Sequence, residues 1–320
     1  MSADIEKIVY AGATPWHLAG VEMQENFTVE VAIEKAGLNW HVEAVPIETV
    51  DQKKTAIENY RVTRRVEDNA ILGIVKAGFV PIQNAQAFGM FNTVISGKAL
   101  INTAGSLQGG SKVWMLAKMP GAIEVGKNDP IEKYLLLSNN HDGKRPLQML
   151  FTPVRVVCSN TLAMALGSGK DKIAPSVSIP HTLSASVRMK DAERVMAHAV
   201  KYYERFGDFA DYLCNKQLVE EQLKNIIQTV FPPNDKMVVT KKMQHHRMTV
   251  RRLFDEGKGH DRIDGTAWAL INAFGEYADH SLAYKADRED PRGEQMRSIW
   301  FGGARGLKQR ATKIVMKAVA

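Results

Sequence analysis

The chain has 320 residues, 45% of them hydrophobic and 24% charged; this is a globular balance, with length enough for one large core or two ordinary ones. No apolar run approaches the roughly 20 residues of a membrane helix, two cysteines, Cys158 and Cys214, cannot build a disulfide framework, and no CxxC pair marks structural zinc. The net charge of +7 is unevenly placed, because residues 236–320 hold 17 Lys/Arg against 10 Asp/Glu and the rest of the chain holds 25 of each sign.

The opening MSADIEKIVYAG lacks a basic segment followed by an apolar stretch, so a secretory signal is not expected there. Both cysteines read as small buried hydrophobes in a reducing compartment. Residues 10–45 form a leading segment anchored by Trp16 and Trp40, with His17 a satisfied structural histidine and a short helix over 29–36 stopped by Gly37. YRVTRRV (60–66) alternates, with Tyr60, Val62, Arg64 and Val66 on one face and Arg61, Thr63 and Arg65 on the other. A turn at 67–69 then leads to the apolar run 71–75, which predicts a hairpin. Arg61 and Arg65 suit either a solvated hairpin face or phosphate contacts.

Phe88, Phe91, Val94 and Ile95 recur at helical spacing within a helix over 83–96. Strand-like runs follow at 99–104, 112–118, 133–138, 147–152 and 154–157. GSLQGGS and NNHDGKRP are the turns, and Asp142–Gly143 is a strong hairpin pair. GGSK at 109–112 is a hairpin turn, lacking the spacing and hydroxyl of a phosphate loop. A short helix is predicted over 160–166, stopped at 167–169. The fold class is therefore α+β: an antiparallel β-meander flanked by helices over 1–174, a linker marked by Pro175 and Pro180, and a helical, basic portion over 181–320. Helices there are predicted at 191–214, 217–230, 237–256, 266–284 and 307–320. The last puts Leu307, Ala311, Ile314, Val315 and Ala318 opposite Arg310, Lys313 and Lys317. That face can dock on the chain's own core or on a neighbouring subunit and is too small for a membrane.

Catalytic motifs are absent from the sequence: it contains no GxSxG, HExxH or dinucleotide fingerprint. Glu276, Asp279 and His280 share one helix face. A solvated polar face is the simpler reading, since a metal site would need a second cluster such as His245 and His246. His141–Asp142 reads as turn chemistry rather than a catalytic dyad. No cofactor is expected.

The features that suit nucleic acid are more coherent. In KVWMLAK, Lys112, Trp114, Leu116 and Lys118 share one face, which is either a binding surface or an edge strand guarded by lysines. Lys112, Lys144, Arg145 and Arg155 are the expected phosphate contacts, with Arg61 and Arg65 beside them. Trp114 and Asn160 would stack on or position bases. The tail adds Arg297, Arg305, Lys308, Arg310, Lys313 and Lys317, and residues 297–320 contain no acid.

At RVVCSNTL (155–162), preceded by YLLLSNNHDG (134–143), the chain resembles a phage- and plasmid-associated family of uncharacterised proteins. The likeness continues through TPWH (14–17), AGLNW (36–40), TAGSLQGGSKVW (103–114) and GTAWALINAFGEYADH (265–280), and covers most of residues 10–315. It departs where His17 is followed by Leu-Ala-Gly in place of Gly-Leu-Gly. A fold-level analogy extends to phage annealing proteins of the RecT, Redβ and Erf kind, which pair helix, β-meander and helix and assemble into rings or filaments around DNA. Together these imply a cytoplasmic protein of a bacterial host that binds single-stranded DNA, self-associates, has no membrane partner and promotes annealing without catalysis. The alternatives are a metal-dependent enzyme acting on nucleic acid and a phage assembly or host-interaction protein.

Overall fold

The computed structural model describes residues 8–11, 21–23, 27–95, 99–126, 129–155, 160–161, 176–190, 193–235, 237–282, 295, 298–299 and 302–320. Its centre is an eight-stranded sheet in the order β10-β9-β8-β7-β6-β1-β2, with β11 also paired to β9. The strands are β1 (Ile8–Ala11), β2 (Val21–Met23), β6 (Leu100–Leu107), β7 (Lys112–Val125), β8 (Asp129–Asn140), β9 (Leu147–Arg155), β10 (Asn160–Thr161) and β11 (Ser176–Ile179). Every pairing is antiparallel except β1 with β2. A second sheet joins β3 (Val42–Glu48), β4 (Ala56–Arg65) and β5 (Ile71–Lys76) in chain order. The meander of short connections is what local turn chemistry favours, since antiparallel neighbours need only tight turns.

Helix α1 (Val29–Lys35) starts at Thr28, whose hydroxyl accepts from Val31 N. It ends at Gly37, which takes φ 63° while Leu38 N donates to Ile33 O across the end; glycine adopts this left-handed cap without a Cβ clash. Helix α2 (Asn84–Ile95) buries Phe88, Phe91, Val94 and Ile95, the face its spacing predicts. It and α4 (Glu193–Cys214) pack on β7. The remaining helices are α3 (Ala185–Lys190), α5 (Glu220–Val230), α6 (Lys241–Glu256), α7 (Ala267–Glu276) and α8 (Gly303–Val319).

The helices share the sheet's core. Tyr203 in α4 donates a 2.7 Å hydrogen bond to Tyr134 O in β8, and Trp268 in α7 donates from Nε1 to the buried Asp129 of the same strand at 3.2 Å. One contiguous cluster of buried apolar residues runs from Ile8 to Val315. Among the described residues, no helix is long and apolar enough to cross a membrane.

Several expectations are corrected. Residues 160–161 are a strand, not a helix start: Asn160 pairs with Arg155 and Thr161 with Val154; the rest of 160–166 lies outside the described residues. Between Pro175 and Pro180 lies β11, which pairs with Met149 and its neighbours, so the two prolines flank an edge strand rather than mark a linker. β7 is not an edge strand, because it lies between β6 and β8. Its Pro120 falls where the β7–β8 register shifts, between Lys118 and Ala122, a place where a missing N–H breaks no ladder bond. The helix predicted from 237 begins at 241, and the one from 266 changes at Tyr277–Ser281 into a π-helical turn.

Candidate nucleic-acid interface

Two of the sheet residues expected at an interface, Lys112 and Trp114, are turned inward. Trp114 is fully buried and Lys112 is buried, while Val113, Met115 and Ala117 on the opposite face are buried too. A central strand covered on both sides presents no platform, and Trp114 has no exposed face on which a base could stack. Lys112 Nζ lies 3.9 Å and Lys144 Nζ 3.8 Å from Asp142 Oδ2, so one carboxylate draws both amines together, although the Lys144 side chain remains exposed. Arg65 is mostly buried beside Asp68 at 3.1 Å and lies over the Trp40 ring at 5.1 Å. Arg61 donates to Tyr60 O at 2.9 Å, and Arg64 meets Glu43 at 2.6 Å. Arg145 lies at the β8–β9 turn, close enough to Arg305 that its charge, after burial, holds that guanidinium below its usual range. The side chains of Arg155 and Asn160 lie outside the described residues; their backbones pair across β9 and β10. Lys112 and Arg65 are therefore withdrawn, by burial and by their acids, from any continuous cationic track over the sheet.

The structure builds a polar junction there instead. Asn139, Asn140, His141 and Asp142 are all buried at the end of β8. Asn139 donates to Ile82 O at 2.9 Å, and Ile82 N donates to His181 Nδ1 at 3.3 Å. Asn84 at the start of α2 donates from Nδ2 to Leu38 O, which leaves its Oδ1 to accept from His141 Nε2 at 3.0 Å. Both histidines are therefore the Nε2–H tautomer: His141 donates from Nε2 to Asn84, and His181 accepts the Ile82 N–H at Nδ1. Burial lowers both from the ordinary histidine value, His141 to about 3 and His181 to about 4, so both stay neutral. Thr63 Oγ1 donates to His141 O at 2.7 Å and ties the small sheet to this turn. His141–Asp142 is a turn, and both of its residues are buried.

The candidate metal set is not brought together. Asp279 is buried against Lys308 at 2.7 Å, His246 meets Tyr277 Oη at 2.7 Å, and His280 is exposed. Among the described residues, no three His, Cys, Asp or Glu converge on a metal position. The polar-face reading fails for Asp279, because a buried lysine from α8 covers it.

Cations that do face outward lie on α6. This helix buries Val250, Leu253 and Phe254 and exposes Lys241, His245, Met248 and Arg252. Spacings of four, three and four residues place those four side chains on one stripe, and eleven residues at 1.5 Å each give it a length of about 16 Å. Residues 237–254 contain five Lys/Arg and no acid. Charge is felt locally: His246 lies below the usual histidine range through burial first, then through Lys242 and His245. A groove of about 420 Å³ runs beside the stripe, floored by Leu223, Ile227 and Met248 and edged by charges of both signs, Lys224 and Arg252 with Glu220, Asp255 and Glu256. α8 carries a second exposed row, Arg310, Lys313 and Lys317, while its Leu307, Ala311 and Val315 are buried; its apolar face docks on the chain's own core. The acid-free run of α6 was visible in the sequence, but no periodicity rule chose it over the equally basic sheet.

Ahead of α6, hydrogen bonds close Asn234 onto Met237 and Val238. Met237 N donates to Asn234 O at 2.8 Å and Asn234 N to Val238 O at 3.2 Å, and Val238 N donates to Asn234 Oδ1 at 2.8 Å. Met237 takes φ 57°, a left-handed conformation that costs a non-glycine residue roughly 1–2 kcal/mol. Met237, Val238 and Val239 are 79%, 53% and 46% exposed.

A mixed α+β protein with a buried polar junction and a cationic helix face is the class that this fold and site define. The chain belongs to the family described as Domain of unknown function (DUF932), whose model matches residues 71–300, a span that holds both junction histidines and α6. No curated protein and no solved structure matches the chain.

Proposed function

We propose that the protein binds single-stranded DNA through the phosphate backbone, using the exposed α6 stripe, and promotes strand annealing or recombination for a mobile element as an oligomer. The observation that carries this reading is the stripe itself: Lys241, His245 and Arg252 lie exposed in a row, in residues 237–254, which contain no acid, with Asp255 and Glu256 at the far end of the helix. Phosphate neutralisation needs this kind of charge and needs no nucleophile or metal. The α8 row and the +7 balance of residues 236–320 add to the local potential. The mobile-element setting rests on the likeness of RVVCSNTL and YLLLSNNHDG to phage and plasmid proteins, and annealing rests on the fold-level analogy of helix, β-meander and helix to phage annealing proteins. The loss of the helix start at 160–161 removes part of the topological analogy to ring-forming annealing proteins.

Fluorescence polarisation of a labelled oligonucleotide between 50 and 200 mM salt tests the reading. Affinity should fall steeply with salt, and Lys241→Gln with Arg252→Gln should reduce the slope of log K against log salt by about 1.4, at about 0.7 for each lost phosphate contact on a single strand. Lys144→Gln, beside Asp142, should leave the slope unchanged. Salt-independent binding, or slopes identical in all variants, would remove α6 as the interface.

A further inference from the structure

We infer that the exposed tip Met237–Val239 is a base-contacting wedge that enters between nucleotides while α6 holds their phosphates; this rests on the α6 reading above. Three observations converge on it. The tip is apolar and exposed, with Met237 at 79% and Val238 and Val239 about half exposed beside it. It is also pre-formed, closed by the hydrogen bonds of Asn234 with Met237 and Val238, so little ordering remains to be done on binding. Finally, Met237 is kept in a left-handed conformation where glycine or asparagine would be at ease. The left-handed turn presents this apolar side chain to solvent.

The placement selects nucleic acid as the partner. Val239 is followed, after the helix-capping Thr240, by Lys241 and Lys242, so apolar contact and cationic charge are neighbours in the chain. Unstacked bases beside a phosphate backbone offer that same pairing, and apolar wedges between bases are a recurrent device of DNA-bending proteins. A bilayer would demand a wider apolar face, and α6 has none to give, since Val250, Leu253 and Phe254 are buried.

The test uses the full chain and an oligonucleotide carrying one 2-aminopurine, whose fluorescence rises when the base is unstacked. The native protein should raise the signal along the same titration that polarisation reports. Met237→Gly, alone and combined with Val238→Ser and Val239→Ser, should abolish the rise and weaken binding several-fold with the salt slope unchanged. Met237→Gly relieves the left-handed strain, so its thermal midpoint should match or exceed the native one; a loss of signal then cannot come from misfolding. A rise that persists in the triple variant, or native binding without any rise, overturns the wedge and leaves the α6 interface standing. If the native chain fails to bind the oligonucleotide, both fall. Tip-dependent binding to phosphatidylglycerol vesicles without oligonucleotide binding assigns the tip to a lipid surface and overturns the wedge.

Discussion

Lys308 Nζ lies 2.7 Å from Asp279 Oδ1, and both side chains are at most 5% exposed. The pair fastens α8 to the π-helical turn that ends α7. Burial lowers the Lys308 pKa, and Asp279 opposes that shift, so the amine depends on its partner to remain charged. Removing one member of a buried pair strands the other charge, which costs about 3–5 kcal/mol, whereas replacing both by apolar residues of similar size is close to neutral. Lys308→Met should therefore lower the unfolding free energy by roughly that amount in urea titrations, and Lys308→Met with Asp279→Leu should recover most of it. A single variant as stable as the native chain would show that the pair does not hold the helix.

Acid should loosen the polar junction. His141 and His181 bind protons in the unfolded chain near 6.5 but in the folded one only near 3 and 4. Between those values the unfolded state holds more protons, so stability is fully present above pH 6.5 and falls as pH drops, by up to about 1.4 kcal/mol per pH unit for each histidine. Protonating His181 at Nδ1 would also turn the acceptor of Ile82 N into a donor. Urea midpoints at pH 7 and pH 5 measure the effect. His141→Gln keeps a donor for Asn84 and should flatten the pH dependence; an unchanged slope would mean that His141 is not the group titrating.

Gly73 is required by a close approach. A Cβ there would lie 2.6 Å from Asp142 Cα, backbone that cannot step aside, because Thr63 holds the adjoining carbonyl of His141. Gly73→Ala should lower stability by about 1–3 kcal/mol, the range of overpacking in a filled core. Gly109→Ala has open space around its Cβ, although its φ of +60° adds local strain, and should cost less. Thermal midpoints of the two variants should differ in that order.

Trp114 separates the two placements of the interface. As a core residue with no exposed surface, it should cost about 3–5 kcal/mol when cut to alanine. Trp114→Phe, which keeps most of the volume, should bind an oligonucleotide with native affinity. A selective loss of binding in a folded Trp114→Phe protein would return the interface to the sheet.

Local signals were legible where one residue's neighbours in sequence are also its neighbours in space. Phe88, Phe91, Val94 and Ile95 announce one face of α2, Gly37 ends α1, and Asp142–Gly143 turns β8 into β9 with Gly143 at φ +70°. β3 was missed because Pro46 interrupts its pattern, and β11 because two prolines flank it; a proline removes one donor, but edge positions do not need it. KVWMLAK alternates correctly as a strand, yet alternation cannot tell a solvated face from one covered by α2 and α4. The candidate site suffered most from this, since Lys112 and Trp114 look outward in a string and lie inward in the fold.

By itself, the sequence determined the α+β class, the order of the meander, the turns and the basic character of the C-terminal quarter, because propensity, periodicity and charge are properties of short stretches. Tertiary structure alone decided which cations are spent on acids and which face water. Asp142 collects Lys112 from thirty residues away and Asp279 collects Lys308 from twenty-nine, while Lys241, His245 and Arg252 stay exposed. Such pairings depend on distances across the fold of a few ångströms, and Coulomb energy and desolvation depend on those distances rather than on separation along the chain.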